Sequence, residues 1–246
     1  MTAPKVVLVI PFYNEEECAE KCVSDLDAAL TGAGINFELL LVENGSKDRT
    51  PEILRALEKK DARIKTIFIR ENIGYGGAIL RGMEQAGGDW IGFTCGDGEI
   101  SPEDTAWMCK ATFAAGFDFC KAKRVDRKDG AVRKLLSMGY HLLVGLLFRI
   151  HVTDLNGYPV LMRKRVHDKM HLTHANWVFN IEMMWDARRL GVRMAELDVR
   201  HCKRLGGHSH VGFMTPAVFL LQLLSLWNEL RKRHSPNSSN ATGHHY

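Results

Sequence analysis

Short β-branched runs alternate with amphipathic stretches over the first half of the chain. Residues 5–10 (KVVLVI) are apolar without a break and stop at Pro11, and 14–33 then carry Val23, Leu26 and Leu30 on one helix face. The pairing recurs as FELLLV (37–42) before a helix over 48–60, KTIFIR (65–70) before a helix over 76–86, and DWIGFT (89–94). A helix over 102–115 and a strand over 118–123 extend the series. Strands alternating with helices of this length predict βαβ units, and hence a mainly parallel sheet with helices on both faces. In such sheets ligands bind beyond the carboxyl ends of the strands. The loops 11–15, 43–48, 72–77 and 95–99 should therefore converge on one rim.

Two later stretches break the pattern. RKLLSMGYHLLVGLLFRI (133–150) and TPAVFLLQLLSLWNEL (215–230) are apolar over most of their length, yet neither reaches the ~20 apolar residues of a spanning helix. The second starts with Thr215 before Pro216, a helix-start signal, and runs into the basic cluster Arg231, Lys232 and Arg233. Each either lies in a membrane interface or packs as a buried helix on the sheet or on a partner chain, including a second copy; periodicity alone does not separate these. The tail 234–246 is polar, rich in Ser, Asn and His, the composition of disordered chain.

With 246 residues and 46% apolar content there is material for a sizeable core. Thirty-three basic against 29 acidic residues leave a net charge of +4, too mild a bias for a nucleic-acid partner, and the aromatics do not interleave with basic runs. Phosphate-bearing ligands or an anionic membrane surface suit it better. The six cysteines form no Cys-x-x-Cys pair, which reads as reduced thiols in the cytosol. The first residues lack the small-residue cleavage site of a signal peptide.

Chemistry concentrates in the rim loops. Thr94-Cys95-Gly96-Asp97-Gly98-Glu99 sets two carboxylates two residues apart among glycines, and hard cations such as Mg²⁺ or Mn²⁺ take oxygen ligands they share with substrate phosphates. Alone, such an Asp-Gly pair is an ordinary turn. Glu43 ends the second strand, where a carboxylate can meet a base or ribose, while Ser46 or Asp48 suits a helix cap. The turn holding Gly74 and Gly76 either cradles a phosphate or permits tight packing.

Taken in order and at their spacing, IPFYNEEE, VENGSKDRT, NIGYGGAILRG and the acidic turn followed by SPED resemble the inverting family-2 glycosyltransferases of GT-A fold. Within them the likeness is greatest to the dolichyl-phosphate mannosyltransferases and related polyprenyl-phosphate glycosyltransferases. The resemblance spans residue 5 to about 210 and implies a GT-A domain over 1–210, an apolar helix over 211–233 at a membrane interface or partner, and the tail beyond. It places Pro11, Tyr13, Glu15 and Glu43, with Gly74 and Gly76, around a nucleotide-sugar such as GDP-mannose or a UDP-hexose. Asp97 and Glu99 then hold Mg²⁺ or Mn²⁺ at the diphosphate. Arg204 matches a late segment that closes over the donor, with His210 where lysine is usual.

On the acceptor side the resemblance implies a phosphate site of Arg124, Arg133 and Ser137, since arginine offers forked donors and a permanent charge. A polyprenyl-phosphate acceptor is already anionic; a hydroxyl acceptor would need a base, for which Asp154 is the candidate. The enzyme so implied works peripherally at the cytoplasmic side of a membrane. Several positions depart from the family: Cys95 replaces the first aspartate of the metal turn, Glu43-Asn44 replaces two aspartates, and Ala122-Lys123 precedes Arg124 in place of Gly-Ser. A thiol is a poor Mg²⁺ ligand. Two other readings follow, a hydroxyl-directed transferase acting on a lipid or glycan and a catalytically silent nucleotide-sugar-binding domain.

Overall fold

A computed structural model describes residues 3–125, 131–206 and 216–233, with the backbone alone for 131–136 and 216–219. The expected alternation is present: β1 (Lys5–Phe12), α1 (Ala19–Gly32), β2 (Asn36–Asn44), α2 (Thr50–Lys60), β3 (Ile64–Ile69), α3 (Tyr75–Gln85), β4 (Trp90–Phe93), α4 (Pro102–Ala115) and β5 (Phe119–Val125). The chain continues through α5 (Ala131–Phe148), β6 (Val160–Arg163), α6 (Lys164–His167), α7 (Phe179–Arg189), β7 (Met194–Arg200) and α8 (Pro216–Arg233).

Seven strands form one sheet in the order β3-β2-β1-β4-β6-β5-β7. Only β6 runs against its neighbours β4 and β5; the other pairs are parallel. The chain winds outward from β1 to β3 and then crosses back to β4 on the other side of β1. The β1–β4 boundary is therefore a topological switch point, where a crevice opens beyond the strand ends. The strands β1 and β2 are buried on both faces, as their unbroken apolar runs require. Val6, Leu8 and Ile10 pack with α1, α2 and α4, whereas Val7 and Val9 pack with α3, α5, α7 and α8.

The first helix begins at Ala19, not near residue 14. Asn14 has a positive φ of 54° and breaks the helix, and the Glu15 carbonyl accepts the N–H groups of Cys18 and Ala19 at 3.1 and 2.9 Å as a separate turn. Between the expected cap residues, Asp48 Oδ1 accepts the Thr50 N–H at 3.0 Å at the start of α2, while Ser46 is used elsewhere. The two apolar stretches are each half buried. Val144 and Phe148 of α5, and Leu223, Leu226 and Leu230 of α8, enter the core, each worth about 2 kcal/mol. Met138, Leu142 and Leu146, at i, i+4 and i+8 of α5, remain 68%, 65% and 71% exposed, and Leu220, Leu221 and Leu224 of α8 are also exposed. No helix among the described residues is long and apolar enough to cross a membrane.

The carboxyl end of α8 is fastened to α7. Glu182 is fully buried and accepts hydrogen bonds from the N–H groups of Thr173 and His174 at 2.9 and 3.0 Å, and from Arg233 at 3.0 Å. Burial alone would raise its pKa; the bond from His174 and the two backbone amides outweigh it and bring the carboxyl to about 2. Residues 207–215 and 234–246, which include His210 and the polar tail, lie outside the described residues.

Candidate active site

The loops after β1 and β2 are laced by their own polar side chains. The Asn14 N–H donates to Ser46 Oγ at 3.1 Å, and Asn14 Oδ1 accepts the Lys47 N–H at 2.7 Å. The Glu15 N–H donates to Thr50 Oγ1 at 2.9 Å, and Glu16 accepts the Arg49 N–H at 2.9 Å. These bonds hold Glu15 buried at the end of β1, beside the turn after β4. Burial raises its pKa, and the Cys18 thiol and the Arg204 guanidinium pull the other way without reversing it.

Arg204 arrives from 189 residues downstream and bonds the Glu15 carboxylate. It also lies 3.7 Å from Asp97 Oδ2. Its segment is pinned across the acidic turn, because the Cys202 N–H donates to the Glu99 carbonyl at 2.8 Å and the Leu205 N–H to the Asp97 carbonyl at 3.0 Å. The turn is tight for a steric reason: a Cβ on Gly96 would stand 2.4 Å from the Phe12 ring, and Gly98 has φ +76°. Asp97 Oδ1 accepts the Glu99 N–H at 3.0 Å, while Glu99 Oε2 accepts the Tyr158 hydroxyl at 2.7 Å.

This donor set bears on the metal. Burial, then the neighbouring Asp97 carboxylate, pushes the Cys95 thiol well above its usual range, and its soft sulfur is a poor match for a hard cation. Among the described residues no three His, Cys, Asp or Glu side chains gather as a metal cluster. Mg²⁺ and Mn²⁺ commonly use one or two carboxylates and complete their shell with substrate phosphates and water. Asp97 Oδ2, facing Arg204, fits that shared arrangement.

The next wall is built on β5. Arg124 Nε and Nη2 donate to Asp154 Oδ2 and Oδ1 at 2.7 and 3.0 Å, a bidentate pair joined by the Arg124 N–H at 3.2 Å, with both side chains over nine-tenths buried. Burial would raise the Asp154 pKa; the Arg124 bonds and charge overcome it and lower the carboxyl to about 2. The Arg124 guanidinium lies 5.2 Å from the Tyr158 ring centroid. Tyr158 therefore separates, and touches, the acidic turn and the arginine.

Pro11 is the last but one residue of β1 and Tyr13 follows the strand, both half-buried at the rim. Glu43 is buried and its Oε1 accepts the Ser46 N–H at 2.6 Å. Gly74 and Gly76 do allow a close approach, but to protein: Cβ atoms there would meet the Ala175 backbone at 3.2 and 2.9 Å. Ser137 meets His141 one helical turn on, its carbonyl lying 2.7 Å from Nδ1. Arg133 belongs to α5, and its side chain lies outside the described residues. Sequence reasoning missed Tyr158, Tyr75, which stacks on Trp177 at 5.4 Å, and two residues behind Asp154, Lys121 and Glu196. A tyrosine directly after Asp154-Leu155-Asn156-Gly157 was the one available local signal.

The family model described as Glycosyl transferase family 2 matches residues 7–186. The undecaprenyl-phosphate 4-deoxy-4-formamido-L-arabinose transferase of Shewanella sediminis is 30% identical over 224 residues, covering 89% of this chain and 66% of that protein. Its namesake from Photorhabdus laumondii is 29% identical over 225 residues, covering 90% of this chain and 67% of that protein. The chain thus spans about two-thirds of the length of these curated relatives. Among solved structures, mannosyl-3-phosphoglycerate synthase from Rubrobacter xylanophilus superposes with a TM-score of 0.71 at 16% identity, covering 94% of this chain and 75% of that one. Glucosyl-3-phosphoglycerate synthase from Mycobacterium tuberculosis, in complex with Mn²⁺, UDP-glucose and phosphoglyceric acid, gives 0.68 at 20% identity, covering 92% and 80%.

Proposed function

From a chain that belongs to glycosyl transferase family 2, we propose an enzyme that moves a sugar from a nucleotide-sugar to a polyprenyl phosphate with inversion at the anomeric carbon. The observation that carries the acceptor class is the Arg124–Asp154 pair. A carboxyl at about 2, bound bidentately by a guanidinium, is a weak base at neutral pH. A hydroxyl nucleophile would need a better one. A phosphate monoester needs none, and Arg124 still has N–H donors beyond those given to Asp154. Asp154 in this reading orients Arg124.

On the donor side, Arg204 moves from Glu15 and Asp97 to the diphosphate, and Asp97 Oδ2 becomes available to Mg²⁺ or Mn²⁺. Asp97 would hold such an ion together with the nucleotide, and the charge it supplies would offset that of the leaving diphosphate. Glu15, Tyr13, Pro11 and Glu43 line the nucleotide's side of the rim, and Tyr158 keeps the Glu99 carboxylate apart from the acceptor phosphate. The acceptor oxygen attacks from the face opposite the leaving group, with the Arg124 charge holding it in line. The exposed leucine and methionine face of α5, continued on α8, fits the apolar boundary of a bilayer, with the basic end of α8 near anionic headgroups. This makes the protein a peripheral one at the membrane that holds its acceptor.

Cys95 favours a second reading, a domain that binds nucleotide-sugar without turnover. One experiment separates the candidates: nucleotide release and lipid glycosylation by purified protein, with UDP-sugars and GDP-mannose, Mn²⁺ or Mg²⁺, and either a short polyprenyl phosphate or the matching polyprenol. Transfer to the phosphate alone is expected. Equal transfer to the polyprenol would overturn the acceptor assignment, and donor binding without transfer under any condition would establish the silent domain.

A further inference from the structure

Lys121 sits in the middle of β5 with 1% exposure, at a place where the sheet would be served better by an aliphatic residue. Its ammonium donates to the Asp154 carbonyl, with the Ala122 carbonyl at 3.4 Å. Directly across the parallel β5–β7 pair, in register with Lys121, stands Glu196. Its two carboxylate oxygens accept the N–H groups of Thr153 at 2.7 Å and Asp154 at 3.1 Å. Two oppositely charged side chains from adjacent strands thus hold three backbone groups of one turn, the N–H of Thr153 and both the N–H and the carbonyl of Asp154. No strand ladder supplies these bonds. The turn they grip carries the carboxylate that orients Arg124.

We propose that Lys121 and Glu196 are positioning residues of the Arg124–Asp154 pair, clamping the 153–154 turn so that Arg124 is held at one place for an anionic acceptor. The assignment of Arg124 to the acceptor rests on the function proposed above; the clamp itself does not. A hydrophobic side chain at 121 would fill the strand interior without gripping the turn, so the charged pair has a purpose that packing alone does not supply. Lys121 and Glu196 also line a cavity of about 330 Å³ together with Arg149, His151, Arg188 and Met184. A methionine at position 121 therefore has room to settle.

The test uses the full chain with Lys121→Met and, separately, Glu196→Gln, read in two ways. Hydrogen exchange over 150–158 reports the clamp without any reaction: both variants should lose protection at Thr153 and Asp154. Steady-state kinetics report the consequence: kcat/KM for polyprenyl phosphate should fall about ten- to a hundredfold, the scale of an ångström-sized misplacement, with the nucleotide-sugar KM unmoved. Unchanged exchange in both variants overturns the clamp. Lost protection with wild-type acceptor kinetics overturns the positioning role. If the wild-type chain transfers nothing to polyprenyl phosphate, the functional reading fails by itself, and exchange still decides the clamp.

Discussion

Replacing Asp154 by asparagine keeps shape and removes charge, and its cost can be worked from the pairing with Arg124. The carboxyl falls from an ordinary 3.8 to about 2 on folding. At about 1.4 kcal/mol per pK unit, that fall amounts to about 2 kcal/mol of stability. Both partners are over nine-tenths buried, so solvent screening removes little of it. The sign follows from the depressed value: the contribution is complete above about pH 4 and disappears as pH falls through about 2. Asp154→Asn should therefore unfold about 2 kcal/mol more easily at pH 7, about 4 to 8 °C for a chain of this length. Urea titrations at pH 7, 4, 3 and 2.5 on both proteins give the comparison, because every other carboxylate titrates alike in the two. The gap should be constant down to pH 4 and then shrink. A gap of equal size at every pH would mean that the carboxylate is not ionised against Arg124, and the argument for a phosphate acceptor would lose its basis.

Cys95→Asp restores a second carboxylate to the metal turn; half-saturating Mn²⁺ measured with donor present should fall about tenfold, or 1.4 kcal/mol, while the metal-free protein melts lower through repulsion with Asp97. Glu182→Gln removes the charge that α8 is tied to. From a fall of 4.5 to about 2, it should cost about 3 kcal/mol, and limited proteolysis should cut before α8 sooner than in wild type. Leu142→Ser with Leu146→Ser should abolish co-sedimentation with anionic vesicles and leave nucleotide release with a water-soluble short-chain acceptor within about twofold, since exposed positions change stability little; vesicle binding at the wild-type level would remove α5 from the membrane.

The rim loops were legible because their parts are local. Each rim loop follows its own strand within a few residues, so the β-branched runs locate Glu15, Glu43 and Asp97 at once. The extent of α1 was overread because Glu15 and Glu16, helix formers by composition, are used to lace two loops together. The wall around Arg124 and Asp154 was legible only in part. The segments β6, α7 and β7 went unread: β6 has four residues, α7 turns Glu182 and Asp186 inward, and β7 (MAELDVR) alternates around charges. Periodicity treats a buried charge as a surface position. Lys121 and Glu196 are 75 residues apart, and Glu15 and Arg204 are 189 apart. Pairings of that range carry no spacing signature.

Tyr158 joins the acidic turn to that wall and sharpens the account of the metal. Its hydroxyl holds Glu99 Oε2 at 2.7 Å while its ring lies under Arg124, so pulling Glu99 toward a cation would also disturb the acceptor wall. Asp97 is under no such constraint, since the bond it accepts from the Glu99 N–H uses Oδ1 and leaves Oδ2 facing Arg204. One carboxylate oxygen next to a guanidinium binds a divalent cation poorly. A nucleoside diphosphate would change this if it drew Arg204 to its own phosphates, leaving Asp97 Oδ2 to help hold the ion. Cation and donor should then enter as one unit, with Glu99 left as a spacer, and the acceptor arginine would meet its phosphate across a tyrosine that donor binding has not moved.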